Sequence, residues 1–83
     1  MASSFQTKII NKLRYKGWTT LSVSKMSSNG YPDVLAMKQG KVLWIESKEL
    51  NDTLKPLQRY RIDQLRNNGF RAYCVQDKKG IIY

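Results

Sequence analysis

An α/β fold with the element order αβββαβ and a short closing strand is the architecture this sequence predicts, and three observations carry it. Two segments, one near each end of the chain, repeat apolar residues at helical spacing. Three short runs rich in β-branched and aromatic residues lie between them, and a glycine after the second helix returns the chain to another such run. Eighty-three residues, 41% hydrophobic and 25% charged, describe one globular domain over 1–83. That size is near the lower limit at which a hydrophobic core alone holds a fold, so a homodimer that buries further apolar surface is a reasonable expectation.

Ser3 or Ser4 can cap a first helix over Ser4 to Lys16, whose stripe is Phe5, Ile9, Ile10 and Leu13, and Gly17 offers a left-handed stop. Trp18 to Ser24 suits a strand, and the polar segment KMSSNGYP that follows is a loop closed by Pro32. Asp33 to Lys38 and Lys41 to Lys48 are two further strands joined by a tight turn at Gln39-Gly40. A second helix starts between Thr53 and Pro56, buries Leu57, Ile62 and Leu65, and ends at Asn68-Gly69. Phe70 to Gln76 is a strand, Asp77 to Gly80 a turn, and Ile81 to Tyr83 a short final strand.

Fifteen Lys and Arg against six Asp and Glu give a formal charge of +9, which points to a polyanionic partner, nucleic acid first. A solvated basic surface is the competing reading. A membrane is disfavoured, because no segment joins a long apolar face to a basic one and no stretch approaches the roughly 20 apolar residues of a span. Cys74 is the only cysteine and there is no histidine, which excludes an intrachain disulfide, a Cys/His zinc site and nucleophilic catalysis with a histidine base. Lys8 and Lys12 interrupt the N-terminus before a signal peptide can develop, so the expected location is cytoplasmic.

The chemistry is written in the hairpin. A two-residue loop at Gln39-Gly40 pairs Lys38 with Lys41, and the same register sets Asp33 opposite Glu46 with their side chains on one face; a four-residue loop keeps that register. The strand period of two brings Lys48 to that face and turns Ser47 away. Facing carboxylates destabilise a sheet unless a cation lies between them, and Mg²⁺ typically takes one or two carboxylates while keeping room for water and phosphate oxygens. A metal so held can polarise a phosphate, and Lys48 can orient the attacking water or stabilise transition-state charge. A solvated cross-strand ion-pair cluster is the alternative. The flanking residues, Val34 to Met37 and Val42 to Ile45, are apolar on both faces, which argues that the hairpin is covered on both sides and that its charges have a purpose.

Gly30-Tyr31-Pro32-Asp33 followed by Trp44-Ile45-Glu46-Ser47-Lys48 resembles the PD-(D/E)xK signature of the restriction-endonuclease-like nucleases, and within them the stand-alone VRR-NUC domain of phages and bacteria. The resemblance covers nearly the whole chain and implies a restriction-endonuclease-like core, a small mixed sheet flanked by two helices. It further implies Mg²⁺- or Mn²⁺-dependent hydrolysis of DNA phosphodiesters, with Asp33 and Glu46 as metal ligands, the Ser47 carbonyl as a third, and Lys48 as the catalytic lysine. Gln58 matches the family's helix glutamine and would support the site by hydrogen bonding to a water on the metal or to Lys48; a plain surface glutamine is the competing reading. Stand-alone members resemble Holliday junction resolvases, which work as homodimers on branched DNA. One departure stands out. Many relatives carry a glutamate in the first helix, whereas the first acidic residue here is Asp33, so that either the site binds metal with fewer carboxylates, with Gln6 or water substituting, or a second metal position is weak or missing.

DNA contacts are expected from two places. Lys8, Lys12 and Lys16 recur every four residues on the first helix, opposite much of its apolar stripe, with a solvated helix face as the alternative. Lys25, Ser27, Ser28 and Asn29 precede the active strand in a loop suited to holding phosphates, while Arg59 and Arg66 on the second helix are weaker candidates. No base-reading element is evident, so backbone and shape recognition is expected. A non-catalytic nucleic-acid-binding module that keeps the fold is the alternative function. A purely structural basic protein would explain the charge but not the hairpin carboxylates.

Overall fold

The computed structural model describes residues 3–23 and 29–83. Its elements are α1 (Ser4–Tyr15), β1 (Thr19–Ser22), β2 (Val34–Lys38), β3 (Lys41–Lys48), α2 (Pro56–Asn67), β4 (Arg71–Gln76) and β5 (Gly80–Ile81). The five strands form one sheet in chain order, antiparallel except for the β3–β4 pair, which α2 connects as a parallel crossover. The predicted order αβββαβ with a closing strand is the order observed. Among the described residues no helix is long and apolar enough to cross a membrane.

Both helices are delimited by the residues their sequences supply. The Ser3 hydroxyl accepts the Gln6 N–H and caps α1. At its other end Gly17 takes a φ of +93°, which lets the Trp18 N–H reach back to the Leu13 carbonyl at 3.0 Å. Gly69 repeats the device at the end of α2, where the Phe70 N–H donates to the Leu65 carbonyl at 3.0 Å. Pro56 occupies the first turn of α2, where its missing N–H costs nothing.

The hairpin turn has the predicted two-residue form. Gln39 and Gly40 both adopt positive φ, 49° and 77°, which matches the twist of the flanking strands, and Lys38 pairs with Lys41. That register alternates β3 side chains between two cores. Ile45 joins Ile10 and Val34 under α1, with Leu43 and Val75 packed against them. Trp44 faces the other way, against Ile62, Leu65, Ala72 and Cys74 under α2. The sheet is therefore covered on both faces, and the C-terminal end of β3 emerges between two apolar layers. This position sets a low dielectric around the side chains at that end of β3.

Candidate active site

The last residues of β3 carry the site. Glu46 and Lys48 share the α2 side of the sheet with Trp44, because two residues separate each from the next, and they are only 6% and 4% exposed. The Lys48 ammonium lies 3.6 Å from a Glu46 carboxylate oxygen, Oε2. A buried lysine beside a buried glutamate requires this closeness, since either charge alone would be costly in a low-dielectric surrounding.

Asp33 departs from its expected place. The β2–β3 ladder ends at the Val34–Ile45 pair, so Asp33 stands one residue outside it and its side chain is free to turn. Its Oδ2 accepts the Ser47 hydroxyl at 2.8 Å and its Oδ1 the Ser47 N–H at 3.1 Å, while its carbonyl accepts the Val23 N–H at 2.8 Å. Ser47 does point away from Glu46 and Lys48, but the Asp33 carboxylate follows it instead of lying squarely opposite Glu46. The hydroxyl of Ser47 thus has a structural task that its carbonyl, the predicted third ligand, does not share.

Electrostatics still tie the three groups together. Burial pushes the Glu46 carboxyl up to about 7 from an ordinary 4.5, and the nearby Asp33 charge adds to the rise, against the pull of Lys48. Asp33 is raised as well, chiefly by burial, with the Ser47 hydrogen bonds and Lys48 opposing. Two acids that both resist ionisation, next to each other and to a lysine, form the kind of perturbed cluster that makes a candidate functional site.

Gln58 is brought to this cluster from the first turn of α2. Its carbonyl oxygen accepts the Lys55 N–H at 3.0 Å, and its amide nitrogen donates to Glu46 Oε2 at 3.4 Å. The partner is Glu46 and not Lys48, because Lys48 lies one pleat further along β3. Asp52, which sequence reasoning passed over, places a carboxylate oxygen 3.6 Å from the Lys48 ammonium on its outer side. Among the described residues no group of three or more His, Cys, Asp and Glu side chains is arranged to hold a metal. This accords with the absence of any acidic residue in the first turn of α1. Gln6, the suggested substitute, makes no side-chain hydrogen bond to the site among the described residues.

The charged surface is rearranged relative to expectation. Lys8, Lys12 and Lys16 do not lie opposite the α1 stripe but flank it: with Phe5, Ile9 and Leu13 they line a groove of about 310 Å³ whose floor includes Ile45 and Val75. A three-residue offset between the two rows turns one only about 60° from the other, which explains the placement. Lys25, Ser27 and Ser28 lie outside the described residues. Asn29 is exposed, and its carbonyl accepts the Arg61 guanidinium at 3.0 Å. Arg66 is engaged internally, donating to the carbonyls of Ala72 and Tyr83, and Arg59 stacks over the Tyr83 ring at 4.5 Å. Both are therefore poorer phosphate ligands than the exposed lysines. Cys74 is fully buried with its thiol pushed up to about 11 by desolvation, which leaves it inert.

A mixed five-stranded sheet between two helices, with a Pro-Asp segment entering one central strand and a Glu-x-Lys ending the next, defines a restriction-endonuclease-like nuclease. The chain belongs to the VRR-NUC domain family, whose model matches residues 2–78. Among solved structures it is similar to a VRR-NUC domain at a TM-score of 0.74 and 21% identity, over 84% of this chain and 77% of that one. It is also similar to Hjc of Archaeoglobus fulgidus, a Holliday junction resolvase, at a TM-score of 0.70 and 20% identity, over 90% of this chain and 67% of that one. No curated protein sequence matches it significantly.

Proposed function

We propose that this chain is a Mg²⁺- or Mn²⁺-dependent endonuclease that hydrolyses DNA phosphodiester bonds, acts on branched DNA and works as a homodimer in the cytoplasm, that of the host if it is phage-encoded. One observation carries the reading: the Lys48 ammonium stands 3.6 Å from the carboxylate of Glu46, whose ionisation is opposed by burial and by Asp33. Lys48 offsets only part of the cost of burying the Glu46 charge, and a further positive charge would relieve the rest. A hard divalent cation fits the oxygen donors present, and Asp33 and Glu46 would hold it with the Ser47 carbonyl as a third donor. Bound there, it would polarise the scissile phosphate and offset charge on the leaving oxygen.

The chain's own groups do the rest. Lys48 has three N–H donors and two carboxylates at 3.6 Å, both long contacts, so it can turn a donor toward the attacking water or a phosphate oxygen. Gln58 steadies the Glu46 carboxylate, and Ser47 steadies that of Asp33. Lys8 and Lys12 on α1, with Lys25, Ser27, Ser28 and Asn29 before the active strand, would take phosphates on either side of the cut. The branched substrate is favoured by the likeness to a Holliday junction resolvase, and the dimer by the small size of the domain, which leaves apolar surface that a second copy could bury.

A non-catalytic DNA-binding module is the second reading, favoured by the lack of an acidic side chain in the first turn of α1. Incubation with a four-way junction and with matched linear duplex, in Mg²⁺, Mn²⁺ or EDTA, separates the two. Cleavage with either metal and none in EDTA, lost in Glu46→Gln and Lys48→Ala variants that still bind, is the expected result. Binding without cleavage under every metal would favour the module, and equal cutting of both substrates would remove selectivity for branches.

A further inference from the structure

Gln76 is a buried amide with no part in the chemistry described so far. It closes β4, is 5% exposed, and lies in register beside Lys48 in the parallel β3–β4 pair. Its amide nitrogen stands 2.9 Å from the Glu49 carbonyl, 3.1 Å from that of Leu50 and 2.6 Å from that of Asp52. Two N–H groups thus serve three carbonyls of the one turn that follows the Glu-x-Lys strand. The next residue grips the same place from the other side, for the Asp77 N–H donates to the Lys48 carbonyl at 2.9 Å.

That turn has a functional cargo. Asp52 is half exposed, yet one of its oxygens lies 3.6 Å from the Lys48 ammonium and another accepts the Thr53 N–H at 2.8 Å. The ammonium is therefore held between Glu46 on the inner side and Asp52 on the outer, and the position of Asp52 depends on a turn that Gln76 ties to the sheet. A surface turn of this kind needs no buried amide merely to satisfy its carbonyls, because water would serve them. We propose that Gln76, acting through the turn it binds and the Asp52 carboxylate that the turn carries, is a positioning residue that fixes the Lys48 ammonium against the scissile phosphate. The proposal rests on the nuclease reading for its catalytic consequence, and on the hydrogen bonds alone for its structural one.

Two variants and two readouts test it in the intact chain. Asp52→Asn keeps the acceptor for Thr53 and removes the charge facing Lys48; Gln76→Met keeps the volume and removes the donors. Each is expected to lower kcat on DNA about tenfold or more with KM unchanged, since a misplaced catalytic group costs rate without weakening binding at the distant lysines. Asp52→Glu should restore most of the rate. The double variant should be no slower than the slower single, because the two residues act in one chain of contacts. The second readout needs no cleavage: the ¹H–¹⁵N signal of the Lys48 ammonium, assigned by its loss in Lys48→Ala, should shift or broaden in both variants while distant amide signals stay in place. A wild type that cuts alongside an Asp52→Asn variant of full rate and unmoved Lys48 signal would overturn the proposal and leave the nuclease standing. A wild type that cuts nothing, with a Lys48 signal that still responds to both variants, would overturn the nuclease and with it the catalytic role, while the anchor itself would stand.

Discussion

Replacing Glu46 by glutamine should stabilise the metal-free protein while abolishing its activity. The folded state raises the Glu46 carboxyl to about 7 against an ordinary 4.5. An acid so raised binds its proton more tightly when folded, so its contribution is fully present below pH 4.5 and is lost as pH rises through 7. At about 1.4 kcal/mol for each pH unit of displacement, the loss by pH 8 is at most about 3.5 kcal/mol. The carboxamide has no charge to bury and can still accept the Gln58 amide. Lys48 would keep Asp52 as its counter-charge and lose Glu46, which reduces the gain to about 1 to 2 kcal/mol, or roughly 5 to 15 °C in Tm for a domain of this size. Thermal unfolding followed by circular dichroism in EDTA at pH 5 and pH 8 measures this directly. The variant should melt above the wild type at pH 8, and the difference should shrink at pH 5. It should retain a shallow dependence of its own, because Asp33 is raised in the same direction. Mg²⁺ at pH 8 should raise the wild-type Tm and leave the variant unmoved. A variant that melts below the wild type at pH 8 in EDTA would refute the reasoning, for it would mean that the ion pair with Lys48 outweighs the burial of the carboxylate.

Other outcomes follow from the same geometry. Lys48→Ala should cut about 10² to 10³ times more slowly than the wild type with little change in junction affinity, read by single-turnover cleavage and a gel-shift titration. Gly30→Ala should destabilise the fold more than Gly69→Ala in chemical denaturation: both glycines have φ near +90°, but a methyl group at Gly30 would stand 2.6 Å from Leu57 Cγ, whereas none of its neighbours lies within 4 Å at Gly69. The left-handed backbone alone costs on the order of 1 kcal/mol, so a larger loss at Gly30 isolates the steric part. DNA binding should weaken with salt at a log-log slope near −4.5 if about five phosphates are neutralised, and Lys8→Ala with Lys12→Ala should each flatten that slope by about 1.

What could be read from the sequence was whatever local periodicity determines. A two- or four-residue loop at Gln39-Gly40 gives the same strand register, and the strand period of two then puts Glu46 and Lys48 on one side and Ser47 on the other. The helix ends were equally legible, since Gly17 and Gly69 sit where the left-handed stop is needed. What escaped depended on where a ladder ends or on partners distant in sequence. Nothing in Pro32-Asp33-Val34 says that pairing stops at Val34, yet this is why the Asp33 side chain reaches Ser47. The lysines of α1 are the exception: a three-residue step from Phe5, Ile9 and Leu13 fixes an offset of about 60°, so helical periodicity alone makes Lys8, Lys12 and Lys16 flank that stripe instead of opposing it. The parallel register that sets Gln76 beside Lys48 crosses the whole of α2, and no local pattern fixes it.

The site is assembled mainly by one helix. From α2, Gln58 reaches Glu46, Leu57 fills the space that the missing side chain of Gly30 leaves, and Arg61 donates to the Asn29 carbonyl while lying 4.7 Å over the Tyr31 ring. The Tyr31 hydroxyl in turn donates to Gln64, one turn further along the same helix, at 3.0 Å. These contacts bind to a single rigid element the Gly30–Asp33 segment that delivers one carboxylate and the strand that delivers the other. The spacing between Asp33 and Glu46 is thereby fixed by helix packing instead of by their mutual repulsion, which would otherwise drive them apart. The α1 helix adds packing and exposed lysines but no acidic group in its first turn, so the electrostatic demands of the site fall on Asp33 and Glu46, with Asp52 on the outer side of the Lys48 ammonium. Under the proposed metal-dependent reading, affinity for a cation and instability of the domain without one would have the same origin, and a change that relieves either should diminish both.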